Sequence, residues 1–509
     1  MKITSNYIFQ LIHSLSRNEK GYFKKQVLAH SHDTLDVQYL KLFNAILDQT
    51  EYNEEKLLHK FRNEKFVTQF SVAKNYLSYL ILKSLVQYHS GKNAESNLNR
   101  ELDFSHILFI KGFYKECMTQ LTKAKKIAYK YDKHDYTITI IKKEKQLIAS
   151  LKNDDMIADL QRLLEEEHKV LHSLSIESEL GVVYYNFLKE IHKSRMRSSV
   201  IEHEQLNELR NSIGVKKESE YQTFNAKNYF YGIETIYNYL INDFEKSAFY
   251  GRKHRLLWEE NTDRFNDEND DYLEIIYHYI SACFQTKNFS EIQICLNQIK
   301  NFETNTNDKK QRKYFIYYTL QMRYYASLAH YTELVALMAE IETNAKEIAD
   351  ELYPAYKITM CINCAIIYFI FEDYRLGLSW LNKYLNTLNK DIRKDAYSFA
   401  RIFNLMIHYK LGNNDLLEHV IKSTYREFKG ESSIFEYEKM ILSFIKKSAK
   451  NNTRKNVTAH ARNLQIELKN LQNNPIERDA MRYFNFIRWL ESEIQHIAYR
   501  TLAEREIKG

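Results

Sequence analysis

The segment Cys361-Ile-Asn-Cys-Ala365-Ile-Ile-Tyr368 and the segment Phe371-Glu-Asp-Tyr374-Arg-Leu-Gly377 together predict two helices joined by a tight turn. The small residues Ala365 and Gly377 stand where the two helices of the pair have to approach closely, and the two tyrosines fill the wedge between them. Leu381 follows at helical spacing and continues the inner face of the second helix.

Weaker copies of this turn recur along the chain. They begin at Gly112, Asn242, Lys287, Ala329 and Gly412, and in most of them an aromatic residue follows two positions later, with aliphatic residues at helical spacing beyond it. Turns near 242, 287, 329, 372 and 412 are separated by 45, 42, 43 and 40 residues. Because no single copy is distinctive, this regular spacing carries the prediction of an internal repeat.

Residue type by residue type, the turn resembles the tetratricopeptide repeat, a helix–turn–helix unit of about 34 residues. The longer period fits helices that are each about one turn longer, at roughly 3.6 residues per turn. The resemblance implies an all-α fold, a right-handed α-solenoid of TPR-like helix pairs with long helices. The gap between the turns near 112 and 242 predicts two degenerate turns, near 153 and 198.

The composition points to helix along the whole chain. The 509 residues include two Pro and 11 Gly, whereas average usage is about 5% Pro and 7% Gly. Proline disrupts helix interiors and glycine weakens them, so a double depletion favours helices. Pro354 and Pro475 both stand where a helix begins, the position at which proline loses no hydrogen bond.

The repeat pattern divides the chain into three predicted parts. Residues 1–95 form an N-terminal helical cap, residues 96–430 form the solenoid, and residues 431–509 form a C-terminal helical cap, because a solenoid needs terminal elements over its last open apolar face. Within the first cap, the apolar helix around residues 72–86 is predicted to be buried against the first repeat.

The whole chain also resembles a group of bacterial tetratricopeptide-like proteins of similar length. Three segments carry this resemblance: Asn75-Tyr-Leu-Ser-Tyr-Leu-Ile-Leu-Lys-Ser-Leu, Leu411-Gly-Asn-Asn-Asp-Leu-Leu-Glu-His-Val-Ile, and Tyr483-Phe-Asn-Phe-Ile-Arg-Trp-Leu-Glu-Ser. That group brings no established activity. The resemblance therefore supports the fold and leaves the function to be argued from the residues.

Charge and hydropathy restrict the class of partner. The formal net charge is +7 from 73 basic and 66 acidic residues that are interspersed along the chain, which indicates a mixed solvated surface. No stretch approaches the roughly 20 apolar residues that span a bilayer, so we expect no membrane insertion. Five cysteines are thinly spread, and the N-terminus lacks a sustained apolar signal region, so we expect a cytoplasmic protein.

Catalytic and metal-binding motifs are not predicted. Cys361 and Cys364 form the only two-cysteine motif, but they occupy packing positions of a helix and no second pair of zinc ligands accompanies them. His168, His192 and His203 form no paired-histidine motif around a glutamate, and no glycine-rich phosphate loop is present. We therefore expect no cofactor, no metal and no enzymatic activity.

Three basic clusters are the main sequence argument for nucleic acid. Residues 123–130, 142–145 and 309–313 interleave lysines with tyrosines, which is the composition of a single-strand-binding groove. Solvated helix faces in a Lys- and Tyr-rich chain have the same composition. Nucleic acid is accordingly the less favoured ligand.

A solenoid of helix pairs presents a concave groove lined by the first helix of each pair. The turn alignment places these candidate partner-binding residues in it: Tyr229, Tyr277, His278, Arg323, Asn363 and Met406. Peptide-binding relatives that clamp a terminal carboxylate use Lys, Asn and Arg there, and only Arg323 and Asn363 match. The candidate groove is more apolar and aromatic than such a carboxylate clamp, which suits an amphipathic helix or an extended peptide. The alternative is that these residues pack on neighbouring helices or on the caps.

The sequence therefore predicts a non-catalytic protein–protein interaction scaffold that binds a peptide or helix in the groove. The alternative is a regulatory helical-repeat sensor that binds nucleic acid or a signalling peptide. A steep loss of binding as salt rises would indicate phosphate contacts and favour the alternative.

Overall fold

The computed structural model of the protein describes residues 6–29, 34–151, 155–195, 203–212, 218–268, 271–304, 306–344, 352–387, 394–429, 435–450 and 453–508. Within these ranges the backbone forms α-helices, short 3-10 segments and turns, and no described residue lies in a β-strand. The all-helical class expected from the depletion of Pro and Gly is therefore confirmed.

The helices follow one another with short connections. The first ten are α1 (Tyr7–Ser14), α2 (Arg17–Ala29), α3 (Thr34–Leu47), α4 (Glu54–Lys60), α5 (Phe70–His89), α6 (Ala94–Ile110), α7 (Tyr114–Lys130), α8 (His134–Leu151), α9 (Met156–Arg195) and α10 (His203–Asn211). The next eight are α11 (Phe224–Leu240), α12 (Phe244–Glu260), α13 (Thr262–Glu268), α14 (Tyr272–Gln285), α15 (Phe289–Asn301), α16 (Asn307–Ser327), α17 (Tyr331–Asn344) and α18 (Pro354–Ile370). The last eight are α19 (Tyr374–Thr387), α20 (Lys394–Lys410), α21 (Asn414–Lys429), α22 (Glu436–Lys450), α23 (Arg454–Leu471), α24 (Pro475–Ala480), α25 (Phe486–Gln495) and α26 (Tyr499–Lys508).

The chain divides into two compact units, Met1–Leu174 and Ser175–Gly509, and the division lies inside α9. In the first unit, α1, α2, α3 and α5 share a core in which Phe43 and Leu77 are fully buried. The helix predicted to be buried is α5. It packs one face against α1, α2 and α3 and exposes the opposite face. The prediction that this helix is buried is therefore correct for one face only.

Seven helix pairs of the described chain are joined by the same three-residue turn. The middle residue of each turn has a positive φ, and these residues are Gly112 (78°), Asp132 (48°), Asn242 (64°), Lys287 (55°), Ala329 (53°), Glu372 (62°) and Gly412 (68°). The amide of the following residue donates to the carbonyl five positions back, as Asp373 does to Tyr368 at 3.0 Å. This is the Schellman arrangement, which satisfies the last carbonyls of a helix.

The same turn also begins the next helix. Asp243 and Asn288, each directly after a left-handed residue, accept a hydrogen bond from an amide in the first turn of the following helix. Asp373 does the same for the amide of Leu376 at 3.1 Å. Because one residue ends the first helix and caps the second, the connection is short and its geometry is repeated.

The two degenerate turns predicted near 153 and 198 fall on residues 152–154 and 196–202, outside the described residues. The helices expected after them begin at Met156 and His203. Between them the chain forms the single 40-residue helix α9. This segment contains no Pro and only one Gly, Gly181, so nothing in it stops helix propagation.

The paired helices of residues 224–429 differ in how much surface they bury. The first helices of the pairs, such as α14 and α18, bury residues on nearly every side. The second helices, such as α15 and α17, bury one face only, with Ile292, Leu296 and Leu334 fully or almost fully buried. Successive first helices contact one another in chain order from α11 through α14, α16 and α18 to α20. The first helices are therefore covered on more sides than the second helices.

Candidate functional site

A cleft of about 780 Å³ lies in the second unit. It is lined by residues of the first helices α11, α14, α16 and α18, by a few residues that follow them, and by the C-terminal segment, defined here as Tyr483 to Ile507. From α14, α16 and α18 it takes Phe284, Thr319, Arg323, Asn363, Ile366 and Ile370, among others. From the C-terminal segment it takes Phe484, Asn485, Arg488, Tyr499, Ala503 and Ile507. The cleft is therefore built from residues as distant in the sequence as Tyr239 and Ile507.

Apolar side chains supply much of the lining. Ile366 and Ile370 project from α18 at a spacing of four residues, which places them on one side of the helix. Thr319 on α16 donates a hydrogen bond to the Met360 sulfur at 3.5 Å and so ties α16 to α18 beside the cleft. The apolar lining offers burial to the hydrophobic side chains of a ligand.

The charged lining residues are all basic. They are Lys287, Arg323 and Arg488, and among the described residues that line the cleft there is no Asp or Glu. Arg323 is exposed, and its guanidinium lies 4.0 Å from the centre of the Phe284 ring, a cation–π contact that orients it. Asn363 adds an amide that can donate to a carboxylate or to a peptide carbonyl. The cleft therefore favours a ligand that carries negative charge.

Arg488 belongs to the wall contributed by the C-terminal segment. Its Nε donates to Glu506 at 3.2 Å, and its guanidinium lies 5.4 Å from the centre of the Tyr499 ring. Because Glu506 balances its charge, Arg488 shapes the wall more than it attracts a ligand. Arg323, which is exposed and stacks on Phe284, is a candidate for direct contact with a carboxylate because of its place on α16.

The C-terminal segment is held against the first helices by aromatic and polar contacts. The Phe484 ring lies 5.4 Å from Phe369 of α18 and 5.3 Å from Phe403 of α20. The Tyr331 hydroxyl donates to the Arg500 carbonyl at 3.4 Å, and Lys410 lies 2.7 Å from Glu493. The segment predicted as a cap thus supplies one side of the candidate site.

Of the six residues predicted to bind a partner, the structure brings Arg323 and Asn363 into this cleft. Met406 is fully buried in the core around α18 and α20, and His278 is buried with its Nε2 3.3 Å from Glu274. Tyr277 is half-buried and is not among the residues that line the cleft. The reason is that a first helix is covered on several sides, so groove spacing alone does not identify an accessible residue.

Tyr229 lies in an aromatic cluster instead of the cleft. Its ring is 5.7 Å from Tyr184 and 6.5 Å from Tyr185. Burial, with a smaller contribution from Tyr185, raises the pKa of Tyr229 to about 12. The hydroxyl therefore stays protonated at neutral pH, and its role here is packing.

Sequence reasoning missed the cleft residues outside the first helices. Tyr331 comes from the second helix α17, and Arg488, Tyr499 and Ile507 come from the C-terminal segment. No spacing rule links them to α16 or α18, because they meet only after the chain returns on itself. The density of aromatic residues from Tyr483 to Trp489 was the one signal that this segment packs against others.

The two-cysteine motif lies in the core. Cys361 and Cys364 are both buried free thiols on α18. Burial raises the pKa of Cys361 to about 11 and that of Cys364 well above its ordinary value. Thiolates are the nucleophiles and the metal ligands, so these protonated thiols act as packing residues. Among the described residues, no group of three or more His, Cys, Asp or Glu side chains is placed to hold a metal ion.

Two lysines of the basic clusters in the first unit pair with acidic residues of α8 and α9. Lys125 lies 2.6 Å from Glu144 and 2.8 Å from Glu166, and Lys145 lies 2.5 Å from Glu167. These ion pairs neutralise lysines that the sequence offered as a single-strand-binding surface. The paired charges therefore weaken the case for nucleic acid.

Comparisons of the chain with protein-family models, with curated proteins and with solved structures find no match. The resemblance to tetratricopeptide-like proteins therefore stays a prediction from the quoted residues. Within the described part of the chain, none of the helices combines the length and apolar character that crossing a membrane requires.

Proposed function

We propose that the protein is a non-catalytic interaction scaffold that binds a peptide or helix of a partner protein in the cleft of its second unit. The observation that carries the proposal is the lining of this cleft, which combines Ile366, Ile370 and Phe284 with Arg323 and Asn363 and includes no described acidic residue. An amphipathic segment with acidic side chains matches it, because its apolar face would be buried while its carboxylates meet the arginine.

We propose further that the helix pairs stack as a right-handed, TPR-like α-solenoid. Two observations support this arrangement. The seven turns share one backbone geometry, and the first helices from α11 to α20 contact one another in order along the chain. Repeated turns of one geometry and nearest-neighbour contacts are the features expected of a stacked repeat array.

The absence of enzymatic activity and the cytoplasmic, bacterial setting belong to the same proposal. The five cysteines are all buried free thiols, which fits a reducing compartment. The bacterial setting rests on the resemblance described above. The cleft offers a cation and amides for recognition, and these groups hold a ligand without transforming it.

A peptide selection tests the proposal. The full chain is used to select binders from a random peptide library, and the affinities of the selected peptides are measured by fluorescence anisotropy for the wild type, Arg323→Glu and Arg375→Glu. We expect the selected peptides to be enriched in Asp or Glu among apolar residues. Arg323→Glu should weaken binding by at least about tenfold, which corresponds to roughly 1.4 kcal/mol.

Arg375 provides the matched control, because it is an exposed arginine on the second helix α19 and does not line the cleft. Arg375→Glu should leave the affinity unchanged, and circular dichroism should show that both variants keep their helix content. Selection of basic peptides, or equal loss of affinity in the two variants, would contradict the proposal.

A separate titration tests the alternative that the chain binds nucleic acid. A labelled single-stranded oligonucleotide is titrated into the chain, and its affinity is measured as a function of salt concentration. Tight binding with a steep salt slope would favour the nucleic-acid sensor over the peptide scaffold. Binding that the selected acidic peptide fails to displace would show in addition that the ligand lies outside the cleft.

A further inference from the structure

Helix α5 of the first unit exposes a continuous apolar face. Its exposed fractions are 59% for Val72, 42% for Tyr76, 58% for Tyr79, 45% for Leu82 and 73% for Val86. These positions stand at −7, −3, 0, +3 and +7 relative to Tyr79, which places them on one side of an α-helix. An exposed apolar face of this kind marks an interaction site.

The opposite side of the helix fixes it in place. Leu77 and Ile81 are fully buried in the core shared with α1, α2 and α3. Lys74 lies 2.6 Å from Glu54 beside this core. The apolar face is therefore presented by a helix that is packed on its other side, so a partner does not need to order it first.

Apart from His89 at the helix end, which lies 2.7 Å from Glu19, the exposed polar residues of α5 lie at matching distances from the same centre. Ser71, Asn75, Lys83 and Gln87 stand at −8, −4, +4 and +8 relative to Tyr79. Among the residues of α5, all of which the structure describes, Lys83 is the one charged side chain that is exposed along this face. The face therefore carries a single positive charge, which lies away from its centre.

We infer that this face binds a second copy of the chain, with the two α5 helices antiparallel and related by a two-fold axis at Tyr79. In this arrangement Val72 meets Val86 of the second copy, and Tyr76 meets Leu82 of the second copy. Lys83 faces Asn75 of the second copy, so no two like charges are opposed. An isologous interface requires this reciprocal matching, in which residue i contacts j and j contacts i.

The exposed area lies at the lower limit of what a specific dimer buries. An aromatic side chain contributes about 150–250 Å² when it is fully buried, so the five exposed fractions amount to roughly 500 Å² per copy. Two copies would together remove about 1,000 Å² from water, the area at which a specific interface begins. The segment from Val72 to Val86 extends over about 21 Å at 1.5 Å per residue, which suits a short antiparallel helix pair.

Charge substitutions at the two ends of the face test the pairing. Sedimentation velocity of the full chain over a range of concentrations should show a monomer–dimer equilibrium for the wild type. The double variant Val72→Glu with Val86→Glu should raise the dissociation constant by more than about tenfold, because like charges meet at both ends. The double variant Val72→Glu with Val86→Lys should dimerise, because each end then pairs opposite charges.

These two variants also exclude other arrangements. In a parallel pair, Val72→Glu with Val86→Lys would oppose glutamate to glutamate and lysine to lysine, and it would not dimerise. A wild type that stays monomeric at all concentrations overturns the proposal. Because both valines are exposed, circular dichroism should show unchanged helix content in every variant.

Cysteine cross-linking provides an independent measurement. The five native cysteines are buried, so a short bismaleimide should react with introduced surface thiols. Tyr79→Cys should give a covalent dimer, because position 79 lies on the two-fold axis. Val72→Cys alone should stay monomeric, whereas Val72→Cys with Val86→Cys should cross-link. A covalent dimer from Val72→Cys alone would overturn the antiparallel register.

Discussion

The tract Phe224–Lys429 and the helix α9 use similar residues and reach different structures. In the tract, the first helices of the pairs, such as the 14-residue α14 and the 21-residue α16, end at turns with a left-handed residue and are followed at once by the next helix. Helix α9 continues for 40 residues without a break. Both contain helix-forming residues with periodic apolar positions, so the hydrophobic pattern alone does not set helix length.

The difference lies in the backbone of the turns. A left-handed residue followed by a capping residue stops one helix and begins another within three positions. Asn242 is suited to that conformation, whereas Lys287, Ala329 and Glu372 adopt it with φ values of 53° to 62°. A side chain in this region costs about 1–2 kcal/mol, so the surrounding packing stabilises the turn. The packing of each helix pair against its neighbouring helices therefore stabilises the turn that joins the pair.

The largest effect is expected from removing that packing. Leu381 on α19 is fully buried, and Leu381→Ala should lower the free energy of unfolding by roughly 2–5 kcal/mol through lost burial and a cavity. Val182 on α9 is 61% exposed, and Val182→Ala should change it by less than about 0.5 kcal/mol. All three tryptophans, Trp258, Trp380 and Trp489, lie in the second unit, so tryptophan fluorescence in urea measures both variants.

Substituting alanine for two glycines inside helices should change the free energy of unfolding in opposite directions. A methyl group at Gly251 of α12 would lie 2.9 Å from Tyr279 Cδ2 and 3.3 Å from its Cα, so Gly251→Ala should destabilise the unit by about 1–3 kcal/mol. At Gly181 of α9 the nearest atom is 3.5 Å away, an ordinary contact, so Gly181→Ala should stabilise it by up to about 1 kcal/mol through helix propensity. The same urea titration measures both. Destabilisation by Gly181→Ala would mean that α9 is packed as closely as the paired helices.

Acid should weaken the paired helices through His254 of α12. Its Nε2 lies 2.8 Å from Asn228 Oδ1, and burial, aided by His278, lowers the pKa of His254 to about 3 from an ordinary 6.5. The folded state therefore binds fewer protons than the unfolded state, and stability that is complete above pH 6.5 declines as the pH falls toward 3. Between these two pH values the free energy of unfolding should fall by about 1.4 kcal/mol for each unit by which the pH is lowered.

His254→Gln provides the matched variant for this prediction, because its amide can still donate to Asn228. The free energy of unfolding is measured by tryptophan fluorescence in urea between about pH 7 and pH 4.5, the window in which an unfolded histidine titrates. The variant should show the shallower slope. Equal slopes would mean that another group controls the acid response.

The smallest effects are expected at the turns themselves. Gly412→Ala places a side chain at φ 68° and should destabilise the second unit by about 1 kcal/mol. Glu372→Gly removes a side chain at φ 62° and should stabilise it by a few tenths of a kcal/mol, since the relieved strain exceeds the added flexibility of the unfolded chain. The midpoint temperatures of thermal unfolding of the two variants should shift in opposite directions. A shift in the same direction would contradict the claim that side chains strain these turns.

The sequence predicted the turns well and the contacts between distant segments poorly. Pro354 begins α18 as its position indicated, and six of the seven turns lie at positions that the sequence pattern marked. The turn at Asp132, with φ 48°, was missed because no aromatic residue follows it two positions later. Local signals such as Pro, Gly and Asn act within a few residues and can be recognised in the sequence.

The candidate site was predicted in part, for a physical reason. Arg323 and Asn363 follow from the repeat spacing, whereas Met406 shows that the spacing does not tell an open surface from a covered one. The wall from Phe484 to Ile507 depends on how the chain returns on itself. Likewise, the apolar face of α5 was read as buried because hydrophobicity does not reveal which neighbour is available.

Hydrogen exchange with and without the tightest selected acidic peptide is the most direct test of the claim that the cleft holds a partner. We predict that the peptide slows exchange at residues 316–323 of α16 and 361–370 of α18, and that Arg323→Glu abolishes this protection. Residues 374–387 of the second helix α19 should exchange at an unchanged rate. Protection confined to other parts of the chain, or protection of α16 and α18 that survives Arg323→Glu, would contradict the account.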